Sequence, residues 1–471
     1  MTRTRLASMF VCVTTLAVGC GGDDTSATGG GTSGIDSLGS NGTDGGESAD
    51  SSMTGDGDPS TGDGDPSTGD GDPSTGDGDP STGDGDPTTG DDSGTKWDLG
   101  AIPDGGLPNC GGGGGGEDPE FSYLWAANST QGTISKIDTN TVQEVGRFQV
   151  RPDGAGSPSR TSVSLSGHVA VASRTGGVTK FYATLDKCQD TNGTPDIQTS
   201  TNNVALPWDQ EECRAWHTPF AYSSQRPLAW APGTFNQGTC EWEDEMLWTA
   251  GRYGQNQDEV VLLDGETGII IDMVSVPGLK ADPYGIYGAA VDSDGNFWGT
   301  GWASGNHLVR VDIDTMEATV WDGPSSTGNT SHWYGMTVDV DGYVWNCASR
   351  VARFDPMTEQ WTVSPELGTW TAGCMADATP VADGGLLWLG SSGARAIRRD
   401  TMELVYNWPT PTSYGVSIDH AGYVWAVNGN GAHRVEPTTG VVTSYNGLVG
   451  AYTYSDMTGA ALSAVGGTPS G

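Results

Sequence analysis

Tyr334-Gly-Met-Thr-Val-Asp-Val-Asp-Gly-Tyr-Val-Trp345 returns as Tyr414-Gly-Val-Ser-Ile-Asp-His-Ala-Gly-Tyr-Val-Trp425, and again as Tyr287-Gly-Ala-Ala-Val-Asp-Ser-Asp-Gly-Asn-Phe-Trp298. Each copy opens on a Tyr-led apolar run, turns at Gly, and closes on a second run ending in Trp. That is the pattern of a β-hairpin. The Trp-ended run works as a ruler along the chain. It recurs as Leu124-Trp125, Leu247-Trp248, Phe297-Trp298, Val344-Trp345, Leu387-Trp388 and Val424-Trp425. The last four Trp are 47, 43 and 37 residues apart, the size of one four-stranded blade.

A second turn follows most of these hairpins. It reads Ile137-Asp-Thr-Asn-Thr141, Leu263-Asp-Gly-Glu-Thr267, Val311-Asp-Ile-Asp-Thr315, Phe354-Asp-Pro-Met-Thr358 and Val435-Glu-Pro-Thr-Thr439. An acidic residue with Thr three positions on suits side-chain capping of turn amides. The Trp and Asp residues therefore read as blade architecture. Residues 158–183 carry the strand pattern without the Trp, which brings the blades to seven. Blade 1 starts at its Trp strand, Phe121 to Trp125. The segment Ala451-Tyr-Thr-Tyr-Ser-Asp-Met-Thr-Gly459 has the look of a first strand and no blade of its own. It is expected to complete blade 1 and close the ring, which removes exposed sheet edges. The fold expected is all-β: a seven-bladed β-propeller over 119–463, with an insertion over 184–225 and a flexible tail over 464–471.

The chain ahead of the ring has a different chemistry. Residues 21–96 hold 18 Asp/Glu against one basic residue, Lys96. They carry almost no large apolar side chains, so burial cannot offset chain entropy and disorder is expected. Pro59, Pro66, Pro73, Pro80 and Pro87 mark a Pro-Ser-Thr-Gly-Asp-Gly-Asp repeat in which no position is apolar, which excludes a coiled coil. As a neutral coil these 76 residues span about 50 Å, and like-charge repulsion lengthens that. The Asp-Gly-Asp clusters also suit Ca²⁺, set against a plain solvated spacer. Residues 20–118 are read as an acidic tether with a glycine hinge after Cys110.

The first 19 residues read as an address. Arg3 and Arg5 precede an apolar run, Leu6 to Val18, too short to span a bilayer. The run ends Leu16-Ala-Val-Gly-Cys20, which resembles a bacterial lipoprotein processing site. Cys20 would become the lipidated amino terminus, although Ala17 stands where that pattern has Leu. An ordinary secretory signal is the other reading. The chain is thus expected to be exported and lipid-anchored to a bacterial outer membrane, on its periplasmic or cell-surface side. Its membrane contact would be through the anchor alone, and it is expected to be monomeric. From Trp97 onward, 42 Asp/Glu face 18 Lys/Arg, a surface that repels nucleic acid.

Six cysteines remain after Cys12 and Cys20: Cys110, Cys188, Cys213, Cys240, Cys347 and Cys374. An even number in an exported chain suggests disulfides, and no Cys/His spacing suits zinc. Of the 15 pairings open to six cysteines, Cys188–Cys213, closing the insertion, and Cys347–Cys374, between adjacent repeats, are the pairs expected.

The repeat, followed by Arg353-Phe-Asp-Pro-Met-Thr358, resembles that of the virginiamycin B lyase (streptogramin lyase) propellers, most clearly over 284–446. The resemblance implies a propeller that opens a cyclic depsipeptide by Mg²⁺-assisted elimination. The family places a His eleven residues before the Trp and a Glu three after it. Here the earlier position holds Tyr287, Tyr334, Tyr414 and, with looser spacing, Asp377. The later one holds Asn128, Gly251, Gly301, Ala348, Ser391 and Asn428. Tyr with Gly or Ala supplies neither a base nor an electrophile for an elimination, so the lyase activity is not carried over.

Two candidate sites remain. Inner-strand positions facing the axial channel read Arg160, Arg226, Tyr287, Tyr334, Cys374 to Asp377, Tyr414, and Tyr452 or Tyr454. Arg160, Arg226, Tyr287, Tyr334, Tyr414 and Tyr454 make a platform for a small molecule, glycan or protein, and the arginines favour an anionic group. The competing reading is that the tyrosines pack the inner strands. The second site is Asp190, Asn192, Thr194 and Asp196, with oxygen side chains at positions 1, 3, 5 and 7 of a Ca²⁺-loop pattern. Pro195 replaces the loop glycine and Thr201 the final Glu, so Glu211 or Glu212 would have to complete it. An Asx-rich loop is the alternative. The six histidines show no metal spacing, although His332 stands two residues before Tyr334. No Gly-x-Ser-x-Gly elbow or phosphate loop is present. Three functions fit: a surface-anchored binding module, a metal-dependent lyase or lactonase using non-family residues, or a structural surface protein.

Overall fold

Each Trp-ended run lies in the second strand of a blade, where it meets partners on both sides. The computed structural model describes residues 122–466 apart from 240, 254–256, 280–283, 302–305, 325–332, 369–371 and 455. The signal segment, Cys20, the tether, Cys110, Cys240 and His332 lie outside the described residues. Among the described residues the strands form seven antiparallel blades. Blade 1 is β1 (Tyr123–Asn128), β2 (Thr133–Asp138) and β3 (Gln143–Gln149). Blade 2 is β4 (Pro158–Val163), β5 (Val169–Ser173), β6 (Val178–Phe181) and β7 (Arg214–Thr218). Blade 3 joins β8 (Ser224–Ala231) to β11 (Met246–Arg252), β12 (Asp258–Asp264) and β13 (Ile270–Val276). A separate hairpin, β9 (Thr234–Asn236) and β10 (Glu241–Glu243), interrupts it.

Blade 4 is β14 (Ile286–Val291), β15 (Phe297–Gly301), β16 (His307–Val311) and β17 (Ala318–Asp322). Blade 5 is β18 (Gly335–Val338), β19 (Val344–Cys347), β20 (Val351–Asp355) and β21 (Gln360–Val363). Blade 6 is β22 (Cys374–Ala376), β23 (Leu386–Gly390), β24 (Ala394–Arg398) and β25 (Leu404–Trp408). Blade 7 is β26 (Gly415–Ile418), β27 (Val424–Val427), β28 (Ala432–Val435) and β29 (Val442–Tyr445). The inner strands β4, β8, β14, β18, β22 and β26 touch in that order around the axis.

The repeat motif is explained by hydrogen bonds inside each blade. The first Asp turns back on its own hairpin: Asp339 Oδ1 accepts from the Asp341 and Tyr343 amides, and its Oδ2 accepts from Trp345 Nε1 at 2.7 Å. Asp419 repeats this with Trp425 at 2.7 Å, and Asp292 with Trp298 at 2.8 Å. Such a bond holds the indole, which is buried between blades, in one orientation. The second turn is capped as expected: the Thr315 and Thr267 amides and hydroxyls donate to Asp312 and Asp264. The residue after that Thr is left-handed in six blades: Val142, Gly268, Met316, Glu359, Met402 and Gly440 have φ between 56° and 71°.

The carboxyl-terminal segment closes the ring. Asn128 and Ala451 form a β-bridge, the Tyr452 amide donates to Ala127 O at 3.0 Å, and the Trp125 amide donates to Met457 O at 2.9 Å. On the segment's other side, Thr458 meets Ser417 and the Ile418 carbonyl of blade 7. The chain then forms helix α1 (Ala460–Gly466), which contacts β8, β14 and β18. Residues 464–466, expected as flexible tail, belong to this helix, because Leu462 seats it on the Leu228 and Trp230 core. The insertion is also shorter than its expected 184–225 span. β7 completes blade 2 from Arg214, and β8 begins blade 3 at Ser224.

Candidate ligand site at the mouth of the axial channel

Inner strands all start at the same end of the axis, so their first residues meet there. Arg160 Cζ lies 3.8 Å from the Tyr454 ring centre and 5.3 Å from that of Tyr287. Its guanidinium donates to the carbonyls of Tyr454 at 3.2 Å and Tyr334 at 3.3 Å. The Tyr334 and Tyr454 rings are 4.7 Å apart, and those of Tyr287 and Tyr454 stack at 5.8 Å. These four side chains are sealed: Arg160 is 1% exposed, Tyr454 2%, Tyr287 3% and Tyr334 4%. The channel centre is filled by the protein's own phenol rings.

Above this floor lies a second layer that reaches solvent. Arg226 sits 4.9 Å from both the Tyr284 and Tyr287 ring centres. Arg174 lies 4.3 Å from the Tyr452 ring and donates to Ser157 Oγ at 3.0 Å. Tyr452 OH pairs with Tyr287 OH at 3.0 Å, and its ring packs on Tyr414 at 5.2 Å. Tyr414 is 37% exposed, and Arg174, Arg226, Tyr284 and Tyr452 are half-buried. Burial, then the neighbouring Arg226 charge, lowers the proton affinity of Arg174. Burial, and next the Tyr454 phenol, raises the pKa of the Tyr287 and Tyr452 hydroxyls, so both stay neutral.

The six nominated residues thus converge on one end of the axis, in two roles. Arg160, Tyr287, Tyr334 and Tyr454 form the floor, and Arg226 and Tyr414 belong to the rim. Arg174 and Tyr284 were not nominated. Arg174 follows the second strand of blade 2, whose register has no Trp to mark it. Tyr284 precedes the repeat by three residues and so falls outside its pattern. Cys374 stands at this end, bonded to Cys347 across blades 5 and 6. Asp377 does not: it lies at the far end, where Arg399 binds Asp339 at 2.6 Å and approaches Asp377 at 3.5 Å. The inner strand of blade 6 runs parallel to the axis, so residues 374 and 377 are separated along it. A cavity of about 30 Å³ at that far end, lined by Asp456, Leu462 and inner-strand residues, has room for water only.

The insertion is closed by Cys188–Cys213, the second expected disulfide. Within it Asp190 Oδ1 accepts from the Asn192 and Gly193 amides at 3.1 and 2.6 Å, and Asn192 Oδ1 from the Thr194 amide at 2.9 Å. Thr194 Oγ1 donates to the Asp196 carbonyl at 3.1 Å. Glu212 accepts from the Thr191, Asn192 and Gln198 amides, which hold its carboxyl below the usual range, the Gln198 bond most of all. Among the described residues no three His, Cys, Asp or Glu side chains cluster as metal ligands.

One arrangement looks catalytic and is not. His433 Nδ1 lies 2.8 Å from Ser444 Oγ, and its Nε2 lies 3.0 Å from Asn428 Nδ2. Asn428 Oδ1 accepts two backbone amides, which fixes the amide with Nδ2 as donor. The His433 proton therefore sits on Nδ1 and is donated to Ser444, the reverse of what activates a serine.

No protein-family model matches this chain, and no curated protein matches it. Solved structures align to it at low identity. The WD40 repeats of RRP9 give a TM-score of 0.46 at 11% identity, over 66% of this chain and 91% of that one. Apo AztD from Citrobacter koseri gives 0.43 at 10%, over 72% and 97%. The dihydro-heme d1 dehydrogenase NirN in complex with DHE gives 0.41 at 12%, over 69% and 64%. Likenesses of this order fix neither an activity nor a ligand.

Proposed function

We propose that this chain is a lipid-anchored binding module of a bacterial outer membrane. Its streptogramin-lyase-like propeller stands off the bilayer on the acidic tether and recognises a ligand at the channel mouth. The observation that carries the reading is the half-buried rim of Arg174, Arg226, Tyr284, Tyr414 and Tyr452. Residues from separate blades meet there on a rigid floor, and ring faces beside guanidinium donors suit small-ligand recognition. Against an enzyme stands the lack of a base: Tyr287, Tyr334 and Tyr414 replace the family's His, and burial raises the Tyr287 hydroxyl further from a base's working range.

The test is a thermal-shift panel on the full chain in detergent, covering amino acids, sugars, nucleotides, aromatic acids and short peptides. At least one class should raise the Tm of the wild type and leave an Arg226→Ala/Tyr414→Ala variant unmoved. If no class separates the two proteins, the binding reading is wrong. The anchor is tested by metabolic labelling with palmitate, which Cys20→Ala should abolish.

A further inference from the structure

We propose that the mouth takes an aromatic oxyanion, a flat ring bearing a carboxylate or phosphate, with Arg174 and Arg226 gripping the charge. The proposal rests on the mouth being a ligand site and names the ligand's chemistry.

The chain carries 60 Asp/Glu against 21 Lys/Arg, so carboxylates are available to neutralise arginines. Several arginines are so paired, Arg147 with Glu144 at 2.7 Å, Arg252 with Asp258 at 2.6 Å, Arg398 with Asp400 at 2.8 Å and Arg399 with Asp339, while Arg214, Arg353, Arg395 and Arg434 donate to backbone carbonyls instead. Among the described residues neither Arg174 nor Arg226 has a carboxylate partner, and Arg226 donates no hydrogen bond at all. Its Nε is buried and unsatisfied. Both cations are half-buried, and Arg226 opposes the charge on Arg174. Two guanidiniums that repel one another, with free planar donors and no counter-ion, are the arrangement that an oxyanion relieves by charge-assisted hydrogen bonds. Sealed Arg160 adds a third positive charge beneath them.

The rest of the ligand is set by the rim. Tyr284, Tyr414 and Tyr452 give aromatic faces around the cations, and Tyr414 is the most exposed of them at 37%. The strongly acidic surroundings disfavour a polyanion, because a nucleic acid would meet repulsion beyond the mouth. A single anionic group on an aromatic body satisfies both constraints.

The test is calorimetric titration of the full chain in detergent with benzoate, phenyl phosphate and neutral benzyl alcohol. Fragments of this size bind near ~1 mM. Benzoate or phenyl phosphate should bind about tenfold more tightly than benzyl alcohol, and the tighter of the two identifies the charged group. Arg174→Gln and Arg226→Gln should each remove most of that difference while keeping the wild-type Tm. Equal affinity for benzyl alcohol overturns the anion assignment and leaves the mouth as a ligand site. So does the absence of all binding, provided some other panel molecule still separates wild type from Arg226→Ala/Tyr414→Ala. If no molecule separates them, both readings fall.

Discussion

Asp339 does three jobs with one carboxylate: it closes the Asp–Gly turn, orients Trp345, and neutralises Arg399, which is fully buried. Asp339→Ala takes its shortest carboxylate contact from a buried cation and leaves a buried indole N–H without its acceptor. It should cost about 3–5 kcal/mol in urea unfolding. Asp419→Ala, which has the same Trp bond and no Arg399, should cost less, about 1–3 kcal/mol. Glu359 is exposed and left-handed at φ 56°. Glu359→Gly should therefore stabilise by no more than about 1 kcal/mol, because relief of left-handed strain, about 1–2 kcal/mol, is partly offset by the greater unfolded-chain entropy of glycine, about 0.4–1 kcal/mol. Three acids respond to pH. Asp377, Asp419 and Asp456 are each pushed up to about 6 by burial. Their folded pKa exceeds the unfolded one, so their contribution is complete below about pH 4 and is lost as pH rises through about 6. Calorimetry should find a Tm several degrees higher at pH 5 than at pH 7.5, and Asp456→Asn should shrink that gap. A Tm that falls on acidification over this range would refute the assignment.

Elements were legible where a side chain fixed their register. Six Trp strands and five capped turns could be read because Trp and an acidic residue recur at the same positions in those copies, and those residues do hold the hairpins. The Tyr-Gly pair also carried information that composition hides. A Cβ on Gly415 would lie 2.2 Å from Thr453 O, and one on Gly335 2.4 Å from Ala372 O. These glycines let adjacent inner strands close on the axis, so Gly415→Ala should loosen ring closure, visible as faster amide exchange over 451–459. What could not be read were elements defined by distant contacts. Helix α1 exists because Leu462 finds the core of blades 3 and 4, and β7 because it pairs with β6 across a disulfide-closed loop. The two disulfides should differ in effect. Cys347–Cys374 joins blades, and replacing both by Ser should cost about 2–4 kcal/mol globally. Removing Cys188–Cys213 should open the loop and leave the ring's Tm nearly unchanged. The Ca²⁺ reading of that loop is checked in the same experiment: calcium should raise its protease resistance, and EDTA should reverse this, if Asp190, Asn192, Thr194 and Asp196 trade amide partners for the ion.

At the scale of the molecule, the propeller uses its carboxyl terminus twice. Tyr452 and Tyr454 complete one end of the axis, and α1 occupies the other, so the ring has no open bore among the described residues. Sealing moves the candidate site outward. Arg160, Tyr287, Tyr334 and Tyr454 of the inner-strand pattern became a rigid floor, whereas Arg226 and Tyr414 of the same pattern join Arg174, Tyr284 and Tyr452 at the half-buried rim. That division was invisible in the sequence, because inner-strand spacing gives direction along the axis and not depth below the surface. The central claim is a ligand mouth gripped by unpaired arginines. It is tested most directly by a crystal structure of the chain grown with benzoate. The account predicts a carboxylate within hydrogen-bond distance of both Arg174 and Arg226, with its ring against Tyr414 or Tyr452. A mouth without ligand, with both arginines paired to carboxylates of the chain itself, would contradict it.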